Sequence, residues 1–287
     1  MGGNYKKMEK IKPFVLTEKD VMEIGGNKMT FIGGPCSIES WQMCDEVAGT
    51  LKEICESLEI NYIFKGSYDK ANRSYLHAGR GVGMKKGLEI LNDIKEKYQI
   101  PVTTDVHETW QCEEVGKVVD LLQIPAYLCR QTDLILSAAR TGKAVNIKKG
   151  QFMAPWNMDN VIEKMLSCKN EKIILCERGS SFGYNRLVVD MQGLVEMRKL
   201  GYPVFLDVTH SVQQPGSDKQ FTSGNRDFVP YLMYAGLSVG IDGIFAEVHP
   251  DPDHAVSDGP SQLKLADVEM ILKKAKKFDN LRRSELV

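Results

Sequence analysis

The chain has 287 residues, 43% of them hydrophobic and 26% charged, with a formal net charge of −1. That balance leaves no electrostatic footprint for a nucleic-acid partner. No apolar run approaches the ~20 residues of a membrane span, and the early charges Lys6, Lys7, Glu9, Lys10 and Lys12 are unlike a signal peptide.

Seven cysteines, an odd number without a C-x-x-C pair, read as reduced thiols of a cytoplasmic protein. Residues 1–27 form an N-terminal extension, in which apolar segments at 14–16 and 21–24 flank a polar turn and predict a small hairpin. Thereafter runs rich in β-branched and aromatic residues alternate with segments of helical spacing. The strand-like runs lie at 29–32, 62–64, 102–104, 118–124, 144–147, 173–176, 204–206 and 244–246. The helical segments lie at 43–58, 88–98, 110–117, 134–140, 161–166, 194–200, 228–239 and 265–278. None of the runs alternates cleanly between apolar and polar, which suits strands buried on both faces. Eight strand–helix units without a composition break predict an α/β chain folded as a (β/α)8 TIM barrel, one catalytic domain over 28–287. An open doubly wound sheet fits less well, because no G-x-G-x-x-G directly follows a strand; Gly79, Gly81 and Gly83 follow polar residues and read as a loop.

Polar residues stand where these strands end: Cys36, Lys65, Asp105, Gln123, Lys148, Glu177 and Arg178, Asp207 to His210, and Glu247 to His249. In a barrel that end carries the active site. A lysine closing an apolar strand needs an anionic partner or ligand, since an unpaired buried ammonium is costly. The cations Lys65, Lys70, Arg73, Arg130, Lys148, Lys149 and Arg178 outnumber the local acids Asp69, Asp133 and Glu177, which favours a small anionic, phosphorylated substrate over plain salt bridging. A second set, Cys36, His210, Glu247 and Asp258, becomes adjacent if closure brings the seventh, eighth and first strands together. Sulfur, nitrogen and oxygen donors suit Zn, Fe, Mn or Co better than Mg or Ca, while a core thiol and a hydrogen-bonded histidine account for the same residues equally well. His107 beside Asp105 fits a proton relay or a structural histidine. Residues 250–260, rich in Asp and Pro, are expected to form a mobile lid that carries Asp258 and is ordered by metal and substrate.

Longer motifs then occur in order. They are Gly34-Pro35-Cys36-Ser37-Ile38-Glu39-Ser40, Lys65-Gly66-Ser67-Tyr68-Asp69-Lys70-Ala71-Asn72-Arg73-Ser74, Gln123-Ile124-Pro125-Ala126 and Cys129-Arg130-Gln131-Thr132-Asp133-Leu134. Asn146-Ile147-Lys148-Lys149-Gly150-Gln151-Phe152, Glu177-Arg178-Gly179, Phe182-Gly183-Tyr184-Asn185 and Asp207-Val208-Thr209-His210-Ser211-Val212-Gln213 follow. Together they resemble the 3-deoxy-D-manno-octulosonate 8-phosphate synthases, (β/α) barrels that condense phosphoenolpyruvate with D-arabinose 5-phosphate in lipopolysaccharide biosynthesis and assemble as homotetramers. The related 3-deoxy-D-arabino-heptulosonate 7-phosphate synthases, which use erythrose 4-phosphate, carry a Lys-Pro-Arg-Thr-Ser-type segment after the second strand. This chain has Lys70-Ala71-Asn72-Arg73-Ser74 there, the pattern of the pentose-phosphate enzymes. Cys rather than Asn after Gly34-Pro35 resembles the metal-dependent branch, so the resemblance implies one divalent ion on Cys36, His210, Glu247 and Asp258. It also implies phosphoenolpyruvate on Lys65, Ser67, Lys70, Gln123, Lys148 and Arg178. The pentose phosphate falls to Asn72, Arg73, Ser74 and a neighbouring subunit's copy of Arg130, with Lys70, Asn72 and His210 catalytic.

Overall fold

The computed structural model describes residues 11–17, 21–72, 77–181, 183, 185–214 and 223–285. Among these, eight parallel strands alternate with eight helices. The first half comprises β1 (Thr30–Gly34), α1 (Trp41–Ser57), β2 (Asn61–Lys65), α2 (Met84–Tyr98), β3 (Val102–Asp105), α3 (Gln111–Val118), β4 (Leu121–Ile124) and α4 (Thr132–Arg140). The second comprises β5 (Ala144–Lys148), α5 (Asp159–Ser167), β6 (Ile173–Glu177), α6 (Met191–Arg198), β7 (Val204–Asp207), α7 (Val229–Val239), β8 (Gly243–His249) and α8 (Leu265–Glu285). Each strand pairs with the next, and β8 returns to β1 with Gly243 opposite Thr30 and Glu247 opposite Gly34. The sheet is therefore a closed (β/α)8 barrel, as the repeat predicted. No helix among the described residues is long and apolar enough to cross a membrane.

Local chemistry sets the element ends. The Ser40 hydroxyl caps α1 by accepting the Met43 amide at 3.2 Å, satisfying one of the donors left open in a first turn. Gly240 ends α7 at φ 113°, a left-handed position that suits glycine. The fourth strand is shorter than its apolar run suggested. Val118 is the last residue of α3, and the Val119 amide still donates to the Val115 carbonyl at 3.0 Å. Asp120 then turns the chain, its carboxylate accepting the Val102 amide at 3.1 Å.

Side chains on a strand alternate between its faces, and here both faces are covered. Phe31, Phe64, Leu122, Ile147, Leu175, Leu206 and Ala246 pack outward against the helices, whereas Ile32, Ile63, Leu121, Ala144, Ile174, Phe205 and Phe245 fill the barrel's interior. Two residues further along the same inward columns the character changes: Ile63 is succeeded by Lys65, Leu121 by Gln123, Ala144 by Asn146 and then Lys148, Phe205 by Asp207, and Phe245 by Glu247. The interior is thus oily at the base and ionic at the C-terminal end, which places the reactive groups in one layer.

The expected hairpin is present. Phe14–Thr17 and Met22–Ile24 pair antiparallel with Phe14 opposite Ile24, and Phe14, Leu16, Met22 and Ile24 join the interior apolar cluster. Also at the base, Arg198 at the end of α6 donates to Asp242 at 2.6 Å and to the Gly240 carbonyl at 2.7 Å, while the other Asp242 oxygen accepts the Val204 amide at 2.9 Å. Burial outweighs these partners and pushes the Asp242 carboxyl up from its ordinary value. Replacing Arg198 by Met strands that carboxylate and is expected to cost about 3 kcal/mol, read as a lower urea midpoint with an unchanged slope.

Candidate active site

The closure seam between β7, β8 and β1 brings three ligand-type side chains together. Cys36 lies two residues past the end of β1, Glu247 points inward from β8, and Asp258 sits in the loop after β8; one donor atom from each lies within 4.8 Å of the others. The Cys36 Sγ is 3.2 Å from Asp258 Oδ2. His210, three residues beyond β7, stands next to this group rather than inside it, with its Nε2 3.6 Å from Glu247 Oε1. The other ring nitrogen, Nδ1, donates to Asp207 Oδ2 at 2.6 Å. A carboxylate only accepts, so that bond fixes the proton on Nδ1. Nε2 then faces the Glu247 carboxylate, an arrangement that calls for a cation or a proton between them. A histidine oriented by a carboxylate behind it is a recurring support for a metal ligand.

The donor set fits a divalent ion on physical grounds. Glu247 is buried and its Oε2 has no hydrogen-bond partner among the described residues. Burial works to raise its carboxyl, yet His210, Lys65 and Lys70 outweigh that and hold it well below the usual carboxylate range. Burial first, and then the Glu247 carboxylate, push the Cys36 thiol well up. A divalent ion reverses this thiol's position, because coordination favours the thiolate. The loop holding Asp258 is fixed by a buried amide: Gln262 accepts the Cys36 N–H at 3.1 Å and donates to the Ser257 carbonyl at 2.7 Å. On the far side, Arg226 donates to Asp253 at 2.6 Å and to the Gly259 carbonyl at 2.9 Å. These bonds join the segment expected as a lid to the loops after β1 and β7.

The cationic set divides. Lys65 is buried and donates to the Pro35 carbonyl at 3.2 Å, the Cys36 carbonyl at 2.9 Å and Glu247 at 2.8 Å. An ammonium has three donors, so Lys65 is fully engaged beneath Cys36 and Glu247. Lys70 donates to Ser67 at 3.0 Å and lies 3.8 Å from Glu247. Burial opposes its charge, but Cys36, Glu247 and Asp105 more than offset this and raise the ammonium above its ordinary value. Lys148 donates to Asp207 and rests 3.1 Å over the Phe245 ring. Lys149 is committed to the scaffold, where it donates to Gly150 and Met153 carbonyls and to Ser180 and lies 3.3 Å from Glu177. Arg178, also buried, donates to Gln213 at 2.8 Å, and Gln123 accepts from Asn146 at 3.2 Å.

Other expected residues lie outside this layer. Asn72 is exposed in the turn after Lys70, and Arg130 is exposed beyond the turn at Ala126–Leu128. Arg73 and Ser74 fall outside the described residues, as do Phe182 and Tyr184. His107 donates through Nε2 to Asp105 at 2.9 Å. Desolvation opposes its protonation, but Asp105 more than compensates and raises the imidazole above its ordinary value. Sequence reasoning did not assign Asp207, which anchors both His210 and Lys148; its position at a strand end, three residues before His210, was the available signal. Gln262 carried none.

Comparison with known proteins agrees with this geometry. A model of the DAHP synthetase I family matches residues 13–283. A 2-dehydro-3-deoxyphosphooctonate aldolase from Fusobacterium nucleatum is 59% identical over 257 residues, covering 90% of this chain and 92% of that protein. Enzymes of the same name from Cyanothece sp. (52% identical; 86% of this chain, 90% of the relative) and Francisella tularensis subsp. holarctica (52%; 92% and 96%) match similarly. The chain belongs to the DAHP synthetase I family and, within it, to the 2-dehydro-3-deoxyphosphooctonate aldolases.

Proposed function

We propose that the chain condenses phosphoenolpyruvate with D-arabinose 5-phosphate to give 3-deoxy-D-manno-octulosonate 8-phosphate and inorganic phosphate, the reaction of the octulosonate synthases and a step of lipopolysaccharide biosynthesis. The observation that carries this reading is the juxtaposition, in one barrel layer, of a thiol–carboxylate corner and buried ammonium groups. The relatives' names point to the octonate product, and Lys70-Ala71-Asn72-Arg73-Ser74 favours the pentose phosphate over the tetrose phosphate of the heptulosonate enzymes.

Two anions must be brought together against their repulsion, and a cationic floor lowers that cost while fixing the reacting carbons in register. Lys148 and Arg178 take the phosphoenolpyruvate phosphate, Lys148 having donors left beyond the one given to Asp207. Lys70, Ser67 and Gln123 orient the carboxylate and enol oxygen, and Lys65 joins them by exchanging one of its carbonyl partners. Asn72, Arg73 and Ser74 hold the pentose phosphate. The enol carbon attacks the aldehyde carbon, water adds at the carbon left electron-poor, and the hemiketal phosphate expels phosphate by C–O cleavage. Cys36, His210, Glu247 and Asp258 would hold one divalent ion (Zn, Fe, Mn or Co), which when bound supplies polarisation and positioning beside the aldehyde. Asp207 keeps the His210 ring in one tautomer and so keeps Nε2 directed at that corner.

The chain is read as one catalytic barrel, 28–287, with residues 1–27 as an extension, acting in the cytoplasm as a homotetramer. Tyr127, Phe152 and Trp156 are exposed by 57%, 55% and 64%, and Tyr127 lies three residues before Arg130 in sequence. That aromatic surface supports a subunit contact through which Arg130 reaches a neighbour's pentose phosphate.

Phosphate release measured with each aldose phosphate is expected to be rapid with arabinose 5-phosphate and at least about 100-fold slower with erythrose 4-phosphate, a gap of ~2.7 kcal/mol in barrier; the opposite order assigns the chain to heptulosonate synthesis. Chelation is expected to abolish turnover and added Co²⁺ or Mn²⁺ to restore it. A Cys36→Asn variant is expected to keep substantial activity in the presence of chelator, since the ion then serves positioning. A folded but inactive variant contradicts that role.

A further inference from the structure

We propose that Glu39 is a positioning residue for Asp258, its carboxylate fastening the loop after β8 to the loop after β1; the inference rests on the metal reading given above. The loop after β1 already supplies Cys36. Three residues later, immediately before the Ser40 cap of α1, it supplies Glu39. Glu39 Oε1 accepts the Val256 amide at 3.0 Å and lies 3.5 Å from His249 Nε2. His249 is buried, and its Nδ1 accepts the Asp251 amide at 3.0 Å. The ring proton is therefore on Nε2, where no hydrogen bond from the described residues satisfies it and the Glu39 carboxylate is the facing group. One carboxylate thus meets the second loop where it leaves β8 and again two residues before Asp258.

Asp258 requires such restraint. It occupies the left-handed region at φ 51° and ψ 25°, a conformation that costs a non-glycine residue free energy and persists only where the surroundings enforce it. Its carbonyl accepts the Ser261 amide at 3.0 Å and the Gln262 amide at 3.3 Å, which fixes the downstream side of the turn. Glu39 fixes the upstream side through Val256. The product of the two restraints is the 3.2 Å approach of Asp258 Oδ2 to Cys36 Sγ. A single loop therefore provides one ligand and holds another in place, and Glu39 needs no contact with the ion to set its affinity. Residues that orient metal ligands from behind commonly carry a large share of that affinity.

The test is a titration of Co²⁺ into the metal-free full chain and into Glu39→Ala and Glu39→Gln, following the thiolate-to-cobalt absorption of Cys36. Glu39→Ala is expected to bind Co²⁺ roughly 10- to 100-fold more weakly, with the sulfur band retained and the ligand-field bands altered as Asp258 is lost. Glu39→Gln keeps an oxygen that accepts from Val256 and His249, and is expected to fall within about threefold of the parent, well under the loss for Ala. An affinity within twofold for Glu39→Ala, or an equal loss in both variants, overturns the assignment. Amide exchange on the unaltered chain decides the matter even if Glu39→Ala does not fold: Val256 is expected to be protected at least tenfold relative to an open-loop amide, and an unprotected Val256 overturns it. Failure of the unaltered chain to bind Co²⁺ defeats the metal reading itself, whereas binding indifferent to Glu39→Ala defeats this inference alone.

Discussion

Lys65 is 1% exposed and gives its protons to two carbonyls of the loop after β1 and to Glu247 of β8. Taking an ammonium and a carboxylate out of water costs several kcal/mol per ion, recovered only when geometry and remaining hydrogen bonds are good. Here they are good on the cationic side and incomplete on the anionic side, where Glu247 Oε2 is left without a partner among the described residues. The strain between those two facts organises the catalytic end. Lys65 locks β2 to the β8–β1 seam and fixes the Cys36 carbonyl, and the unsatisfied Glu247 oxygen remains available for an ion beside the Cys36 sulfur.

The same logic recurs one strand further on. Asp207 is buried and serves Lys148, His210 and Thr209 together, and the Thr209 hydroxyl in turn accepts the Glu247 amide at 3.1 Å. Burial alone would raise the Asp207 carboxyl, but His210 and Lys148 outweigh it and hold it well below the ordinary range. In this layer Lys65 of β2 and Lys148 of β5 are thus each met by a carboxylate two strands away around the barrel, Glu247 of β8 and Asp207 of β7. The oily base formed by Phe205, Phe245, Ile63 and the hairpin keeps water from entering beneath it. Low dielectric strengthens every one of these contacts and makes an unpaired member costly, so the layer holds together as a unit.

Much of this was legible in the sequence because its causes are local. Apolar runs of strand length, helical spacing between them and the hairpin's two flanks follow from propensity and period, and the strands that end in Lys65 and Lys148 could be read without a structure. The partners of those lysines could not. Sequence proximity suggested Asp69, Asp133 and Glu177. Glu177 does lie 3.3 Å from Lys149, whereas Asp69 pairs with Arg80, and Lys65 and Lys148 find Glu247 and Asp207, which barrel closure supplies from distant strands. For the same reason Cys36, His210, Glu247 and Asp258 could be set side by side only by assuming closure. Even then His210 stands a step back from the other three. Glu39 and Gln262 carried no signal, since a lone Glu or Gln in a polar loop acquires meaning only from what it touches.

On the proposed function, the β7–β8–β1 seam holds a divalent ion through the Cys36 sulfur. X-ray absorption on the zinc- or cobalt-loaded protein measures this directly. One sulfur scatterer is expected at about 2.3 Å together with nitrogen and oxygen at about 2.0–2.2 Å, the sulfur shell vanishing in Cys36→Asn. A catalytically competent, metal-loaded protein whose ion is surrounded by nitrogen and oxygen alone would contradict it.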